Sequence, residues 1–410
     1  MPCDRISDRL FAATSLIVLM LTLCGTSSAA KYRVLYGFSG GYDGGGLYSG
    51  VIVDAKGDLY GGTLGGGNGQ GGTIYELQHN PDGSWTKTVI HDLDFHTDGG
   101  EPQDGMVFDA AGNLYGTTSN GGPQGFGTVF QLVPNPNGEW PLNVLYDVGS
   151  FTGLVFDPSG NLYGLGAGVF ELSPGPDGWT YREIYDFRQG DAGGFYAPMI
   201  LDPAGNLYGT SAFGGNGPPY CFGDSCGTVF KLHPNGDGTW TEHLLHKFAA
   251  WKYDGQNALG SAVRDAAGNL YGTTIQGGSH RTHRGQCEVG CGTIYKLAKQ
   301  PNGHWKETIL YNFPNYHDGL GPSAGLTMDR AGNLYGTTGS GGDPNCSCGV
   351  VFKMTHNPDD TWTYTVLHRL HVADGALPVA TMVMDKKGNL YGTTVTNGPG
   401  GYGVVFEVTP

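Results

Sequence analysis

Long hydrophobic segments are almost absent from this 410-residue sequence. The one such run, residues 10–23, has about 14 residues, fewer than the roughly 20 that a membrane-spanning helix needs, so no membrane span is expected. Arg5 and Arg9 precede this run and Ser28-Ala29-Ala30 follows it, as in a signal peptide. We therefore predict a signal peptide over residues 1–30 and a secreted protein, extracellular or periplasmic, over residues 31–410. A lipoprotein signal ending at Cys24 is the alternative, although a smaller residue than Leu23 usually precedes such a cysteine.

Positive charge is also scarce. The chain has 22 Lys and Arg against 37 Asp and Glu, which gives a net charge of −15 at pH 7. Such a surface repels the phosphates of nucleic acids and the headgroups of anionic lipids. We therefore expect neither nucleic acid nor a membrane surface as a partner.

Catalytic signatures are missing as well. The sequence contains no nucleophile elbow, phosphate-binding loop or zinc-protease helix. Its many aspartates recur at turn positions, so they do not single out an acid–base pair. The sequence therefore assigns no catalytic residue and no required cofactor.

Glycine is what the sequence has in excess, with 74 residues, and much of it belongs to a repeat. The repeated phrase is Gly-Asn-Leu-Tyr-Gly, with Asp in place of Asn in the first copy. The seven copies begin at Gly57, Gly112, Gly160, Gly205, Gly268, Gly332 and Gly388. Their spacing ranges from 45 residues, between Gly160 and Gly205, to 64 residues, between Gly268 and Gly332.

Each repeat contains four short apolar segments. An aspartate stands three residues before every phrase, as Asp109 does before Gly112, and Asp-x-x-Gly-Asn predicts a hairpin turn between two strands. A third segment follows, such as residues 228–232, and a tryptophan such as Trp305 opens the fourth in most repeats and is predicted to pack between repeats. Four strands per repeat, without helical patterns, predict an all-β chain folded as a seven-bladed β-propeller of four-stranded blades.

The two ends of the chain complement each other. The seventh repeat stops after its third strand, residues 404–408, whereas the mature chain begins with an isolated fourth strand, residues 32–38. Pairing these strands completes the seventh blade and leaves no exposed edge. We therefore predict a ring closed by the N-terminal strand, and a monomer.

These motifs resemble the GloVer-type tandem repeat of secreted bacterial proteins, Asp-x-x-Gly-Asn-Leu-Tyr-Gly-Thr-Thr, then Gly-Gly, then Gly-Thr-Val-Phe-Lys-Leu. The resemblance covers nearly the whole mature chain, and the strand-turn-strand core is also similar to that of NHL-type propellers. It implies the fold and no particular activity. Many such relatives end in a membrane or sorting anchor, whereas this chain stops at Pro410 without an apolar tail, so retention through the C-terminus is not expected.

Six cysteines follow the predicted signal peptide, two in the same loop of three consecutive blades. The pairs are Cys221 with Cys226, Cys287 with Cys291, and Cys346 with Cys348. In an exported protein this pattern predicts one local disulfide per loop. The alternative is a metal site formed by His280, His283, Cys287 and Cys291, whose spacing imitates that of zinc ligands.

Loop lengths suggest where a ligand would bind. The connections on one face are nearly constant, whereas those on the other face are short in blade three and long in blades four and five. Because function usually resides in variable loops on a rigid scaffold, we predict a groove over blade three. Its predicted lining is Phe195, Tyr196, Tyr220, Phe222, Trp251, Tyr253, His280, Arg281, His283 and Arg284.

Two parts of this lining have alternative interpretations. Trp251 and Tyr253 form either a stacking platform for a sugar ring or a plug over the base of the loop. The basic run from His280 to Arg284 holds an anionic substituent such as a uronate, or is a solvated loop tip.

Asp-Gly pairs at the entry to five blades have two interpretations as well. The aspartates are Asp43, Asp98, Asp254, Asp318 and Asp374. If they gathered around the channel mouth they would suit a cation such as calcium. Asp-Gly is also a good turn pair, and the turn interpretation is favoured.

Together these features favour a non-catalytic extracellular propeller that binds a polysaccharide or a protein. The rival hypothesis is a propeller glycoside hydrolase or polysaccharide lyase that uses carboxylates, or His280 and His283, on the variable-loop face.

Overall fold

A computed structural model describes residues 29–150, 152–187, 192–215, 226–249, 253–280 and 287–410. These residues form seven four-stranded antiparallel sheets, the blades of a propeller ring, as predicted. A small two-stranded sheet, Gly255–Gln256 with Gln276–Gly277, is added at blade five. In the described part of the chain, no helix combines the length and the apolar character that crossing a membrane requires.

Each blade runs from strand 1 to strand 4 in sequence order, the seventh excepted. The first strands are Ile52–Val53, Val107–Phe108, Val155–Phe156, Ile200–Leu201, Val263–Arg264, Thr327–Met328 and Val383–Met384. The second strands are Leu59–Gly62, Leu114–Thr117, Leu162–Leu165, Leu207–Ser211, Leu270–Thr274, Leu334–Thr338 and Leu390–Thr393. The third strands are Gln70–His79, Val129–Leu132, Val169–Gly175, Thr228–Pro234, Thr293–Lys299, Val350–His356 and Val404–Thr409. The fourth strands are Trp85–Asp94, Leu142–Tyr146, Gly178–Tyr185, Trp240–Lys247, Trp305–Asn312, Trp362–Arg369 and, in blade seven, Lys31–Gly37.

The first and last blades meet at the chain termini. Lys31–Gly37 pairs antiparallel with Val404–Thr409, in a register that runs from Lys31 opposite Thr409 to Gly37 opposite Val404. The hydroxyl of Thr393 in blade seven donates to the carbonyl of Ser49, which precedes strand 1 of blade one, at 3.0 Å. Equivalent threonines of four other blades make the same inter-blade bond, namely Thr117, Thr210, Thr273 and Thr337. The bond that joins neighbouring blades therefore also joins the last blade to the first.

The last glycine of each repeated Gly-Asn-Leu-Tyr-Gly phrase makes room for an aromatic ring of strand 3. A Cβ atom on Gly336 would lie only 2.5 Å from Cζ of Phe352, which is fully buried. The other six blades repeat this arrangement with a Tyr or Phe of their own third strand. Glycine at this position therefore lets the ring lie across strand 2 and fill the blade core.

The repeated aspartate closes the turn between strands 1 and 2. Asp329 accepts hydrogen bonds from the backbone N–H of Ala331 and Asn333, from the Asn333 side chain, and from the Tyr335 hydroxyl at 3.1 Å. Five further blades repeat the bonds from Asn and Tyr to this aspartate. These aspartates are therefore parts of the scaffold.

The tryptophans that open the fourth strands pack between blades, as predicted. Trp85 of blade one lies against Tyr391 of blade seven, with ring centroids 6.1 Å apart. Trp140, Trp179, Trp240 and Trp362 contact the phrase tyrosine of the preceding blade in the same way. The repeat therefore supplies both residues of the ring contact at these five junctions between blades.

Candidate functional site

The ring has two unlike faces. The turns between strands 1 and 2 and between strands 3 and 4 lie on one, which we call the turn face. The connections between strands 2 and 3 and from one blade to the next lie on the other, which we call the loop face. The loop face varies most: blade three joins strands 2 and 3 through residues 166–168, whereas blade four uses residues 212–227.

Exposed large apolar side chains are concentrated on the loop face. In the described ranges they are Tyr42, Tyr48, Phe126, Tyr146, Tyr196, Phe213, Tyr253, Val289, Val372, Leu377 and Tyr402. Ten of them belong to loop-face connections, and Tyr146 is the last residue of a fourth strand, at its loop-face end. Among the described residues, the exposed apolar side chains therefore lie on the loop face and not on the turn face.

The segments that precede strand 1 converge at the channel mouth. They enclose a cavity of about 260 Å³ to which six of the seven blades contribute. Its lining includes Tyr48, Asp104, Tyr196, Leu259, Ser323 and Ala380. Tyr48 and Tyr196 are 37% and 52% exposed, so two aromatic rings are available to a ligand there.

Asp104 is the channel-mouth residue with the most unusual electrostatics. Burial raises the pKa of its carboxyl to about 6, although the N–H groups of Gly153 and Gly105 donate to it at 2.8 and 2.7 Å. The prediction from sequence missed Asp104. Aligning the seven repeats would have found it, because the position three residues before strand 1 carries a charge in this repeat alone.

A second cavity, of about 400 Å³, lies beside the shortened loop of blade three. Gly166 and Ala167 of that loop form one side, and Phe187, Phe195 and Tyr196 lie on the blade-four side. Tyr196 thus lines both this cavity and the channel mouth. The structure therefore contains a depression at the place where the loop lengths suggest one.

The predicted lining residues divide into two groups. Phe195 is packed against Phe187 and Phe230, with ring centroids 4.7 and 6.0 Å apart, so it supports the wall. Tyr196 and Tyr253 are exposed, and Tyr253 has a φ of 90°, which is strained for a bulky residue. His280 is exposed and its ring contacts the Ser279 hydroxyl at 3.2 Å. Tyr220, Phe222, Trp251, Arg281, His283 and Arg284 lie outside the described residues.

The five Asp-Gly aspartates do not gather at the channel mouth, so the condition for a shared calcium site is not met. Each lies beside the fourth strand of the preceding blade and contacts a side chain of that strand. These contacts are Asp43 with Tyr36, Asp98 with His91, Asp254 with His246, Asp318 with Tyr311, and Asp374 with His368. Because fourth strands form the outer edges of the blades, the aspartates are distributed around the ring.

Two of the predicted disulfides are present, Cys287–Cys291 and Cys346–Cys348. Both sulfurs of the first pair are therefore unavailable to the zinc-like arrangement with His280 and His283. Cys226 is also disulfide-bonded, and its predicted partner Cys221 lies outside the described residues.

The model of the Gloeobacter/Verrucomicrobia repeat matches residues 22–168 and 222–410. The chain belongs to this repeat family. The GloVer-type resemblance inferred from the motifs is thereby confirmed. No curated protein matches the sequence of this Gloeobacter/Verrucomicrobia repeat protein significantly.

Several solved structures align with this protein at low sequence identity. An ancestral GH74 enzyme aligns with a TM-score of 0.56 at 14% identity, over 89% of this repeat protein and 48% of the enzyme, so this protein spans about half of that chain. A candidate gluconolactonase aligns with a TM-score of 0.45 at 14% identity, over 95% and 94% of the two chains. A luciferin-regenerating enzyme aligns with a TM-score of 0.44 at 14% identity, over 75% and 90%. At this identity the GH74 alignment shows the propeller fold alone.

Proposed function

We propose that this protein is an exported, non-catalytic module that binds a polysaccharide on its loop face, around the channel mouth and the adjoining depression at blade three. The observation that carries the proposal is the concentration of exposed aromatic rings on that face. Tyr48 and Tyr196 are its central residues, because both lie on the rim of the channel.

Aromatic rings suit sugars, because an apolar ring face stacks on the apolar face of a pyranose while the hydroxyl remains free to form hydrogen bonds. The loop face combines such rings with polar side chains, among them Gln103 and Asp104 at the channel mouth. Because the exposed rings stand beside polar side chains around a cavity, a glycan is the ligand class that we favour.

Binding is favoured over hydrolysis by the number of carboxylates. Glycoside hydrolases use two carboxyl groups on either side of the scissile bond. Among the described residues that line the channel mouth, Asp104 is the one carboxylate. We therefore assign Asp104 the role of a hydrogen-bonding group for the ligand, and keep turnover as an outcome of the test.

The test is a glycan array, followed by titration calorimetry and reducing-sugar release on each glycan that binds. We expect Tyr196→Ala to weaken binding by about 10- to 100-fold, because the stacking surface is lost. Tyr42→Ala is the matched control: it removes another exposed loop-face tyrosine, which lines neither the channel mouth nor the depression, and should leave affinity unchanged.

Three results would contradict the proposal. One is an equal loss of affinity in both tyrosine variants, and another is capture of a protein in place of any glycan. The third is release of reducing sugar; if Asp104→Asn or the His280→Ala, His283→Ala double variant abolished that release, the hydrolase or lyase hypothesis would replace the binding module.

We also infer export, with residues 1–30 as the signal peptide and residues 31–410 as the mature propeller. The cystines Cys287–Cys291 and Cys346–Cys348 support it, because disulfides persist in oxidising compartments. N-terminal sequencing of the protein recovered from the medium or periplasm should begin at Lys31. Recovery of the uncut chain from the cytosol would contradict this inference.

A further inference from the structure

The aspartates of the Asp-Gly pairs, which stand at the entry to their blades, have neighbouring side chains of different charge in different blades. Where blade seven meets blade one, Asp43 accepts a hydrogen bond from the Tyr36 hydroxyl at 2.8 Å and pairs with the Lys87 ammonium at 2.9 Å. Lys87 occupies the second position after the tryptophan of strand 4, and its side chain is 6% exposed. A buried cation therefore balances the carboxylate at this contact.

The equivalent contact between blades four and five has the opposite charge balance. His246 replaces the tyrosine and Glu307 replaces the lysine, so Asp254 faces a second carboxylate. Nε2 of His246 lies 3.4 Å from Oδ1 of Asp254 and 3.6 Å from Oε2 of Glu307. The three side chains are only 18%, 15% and 14% exposed.

Glu307 is incompletely satisfied in this arrangement. Its Oε1 atom is buried and has no hydrogen-bond partner within the ranges that the structure describes. In the same ranges, no lysine or arginine forms an ion pair with Asp254 or Glu307. Among the described residues, His246 is the one side chain paired with both carboxylates that can carry a positive charge. Two adjacent, largely buried carboxylates that share one imidazole are unfavourable, because each loses hydration and repels the other.

The spacing of the donor atoms fits a metal ion. Zinc forms bonds of about 2.0–2.2 Å to imidazole nitrogen and carboxylate oxygen, and the corners of a tetrahedron with such bonds lie about 3.4 Å apart. The N–H groups of Gly255 and Ala249 donate to the two oxygens of Asp254 at 2.7 and 2.8 Å and hold that carboxylate in place. We propose that His246, Asp254 and Glu307 bind a first-row divalent cation, Zn²⁺ by preference, which clamps blade four to blade five and leaves a fourth coordination position open.

A second cluster, between blades six and seven, is a weaker candidate. His368 and His371 contact Asp374 at 2.9 and 3.2 Å, which are ordinary hydrogen-bond distances, and the His371 side chain is 59% exposed. This cluster is already satisfied by its own contacts. A substitution in this cluster therefore serves as a control that shows whether zinc binds there.

The experiment uses the full mature protein, stripped with a chelator and titrated with ZnCl2, MnCl2 or CaCl2 in a calorimeter. We expect one equivalent of Zn²⁺ to bind, more tightly than Ca²⁺, and the melting temperature to rise with zinc concentration. Glu307→Gln should weaken zinc binding by at least about tenfold. Glu307→Lys recreates the arrangement of Lys87, so it should abolish zinc binding while the metal-free variant melts no lower than the metal-free wild type.

Two variants test whether binding occurs elsewhere. His91→Ala removes the histidine of the His91–Asp98 pair between blades one and two, which has no third ligand among the residues that the structure describes, and His371→Ala disrupts the second cluster. Both should bind zinc as the wild type does. The proposal is overturned if the wild type binds no zinc, or if Glu307→Lys still binds it while His371→Ala does not.

Discussion

Asp329 on the turn face and Asp104 at the channel mouth are the same residue type in opposite environments. Burial favours a higher pKa for both carboxyls. At Asp329 the hydrogen bonds from Asn333 and Tyr335 outweigh burial, so the pKa of this carboxyl lies below the usual value. At Asp104 burial prevails over two backbone N–H groups, and the pKa rises to about 6. The turn face therefore holds carboxylates that the scaffold fully satisfies, whereas the channel mouth holds one with capacity left for a ligand.

The same contrast holds for aromatic residues. On the turn-face side, five repeat tryptophans pack against the repeat tyrosine of the neighbouring blade, as Trp85 does with Tyr391. On the loop face, Tyr42, Tyr196 and Tyr402 are more than half exposed. The turn-face side thus carries packed aromatic residues and the loop face exposed ones, so we expect substitutions on the two faces to affect stability and the proposed ligand binding separately.

The largest effect is expected on the turn face. Asp329→Ala removes the acceptor of four hydrogen bonds and should lower the free energy of unfolding by about 3 kcal/mol, as measured by urea denaturation. Arg330→Ala changes the exposed neighbouring residue and should stay within about 0.5 kcal/mol of wild type. Ligand affinity should be unchanged in both. Equal stability of the two variants would contradict the structural role of the aspartate.

An intermediate effect is expected for a loop-face disulfide. Replacing Cys287 and Cys291 together by serine frees a loop whose cysteines are five and three per cent exposed. Because a short closed loop restricts the unfolded chain only modestly, we expect a loss of about 2 kcal/mol in thermal or urea unfolding. A loss as large as that of Asp329→Ala would show that this loop belongs to the scaffold.

A smaller effect, dependent on pH, is expected at Asp104. A carboxyl whose pKa is raised on folding contributes stability at low pH, which is lost as the pH rises through the folded value near 6. Relative to Asp104→Asn, the wild type should therefore lose about 1–2 kcal/mol between about pH 4 and pH 8. A parallel pH dependence of the two proteins would contradict the raised pKa.

The turn-face aspartates should respond in the opposite direction. Folding lowers the pKa of these carboxyls, so they stabilise the fold at pH values above the usual pKa of aspartate. This stability is lost as the pH falls and the carboxyls become protonated. Asp329→Asn should accordingly show a shallower loss of stability in acid than the wild type, and nuclear magnetic resonance titration of the carboxyl carbons would assign each group.

The repeat made the fold predictable. Seven copies of one phrase define the strands, the turns and the number of blades, because turn residues, a glycine under an aromatic ring and an inter-blade tryptophan act over short distances and recur. Of the proposed loop-face residues, Tyr196 was included in the predicted lining because of the loop lengths. Asp104 and Tyr48 were missed, because the prediction compared the lengths of the loops and not the residues at equivalent positions before strand 1.

Local sequence thus sufficed for the architecture of each blade and for the order of its strands. Which side chains meet at the channel mouth, and that Glu307 faces Asp254 and His246, was decided only by the packing of the blades in the ring. The channel-mouth residues come from six blades, and Glu307 lies 53 positions after Asp254, so no local pattern relates them. Their spacing and desolvation arise from packing one blade against the next.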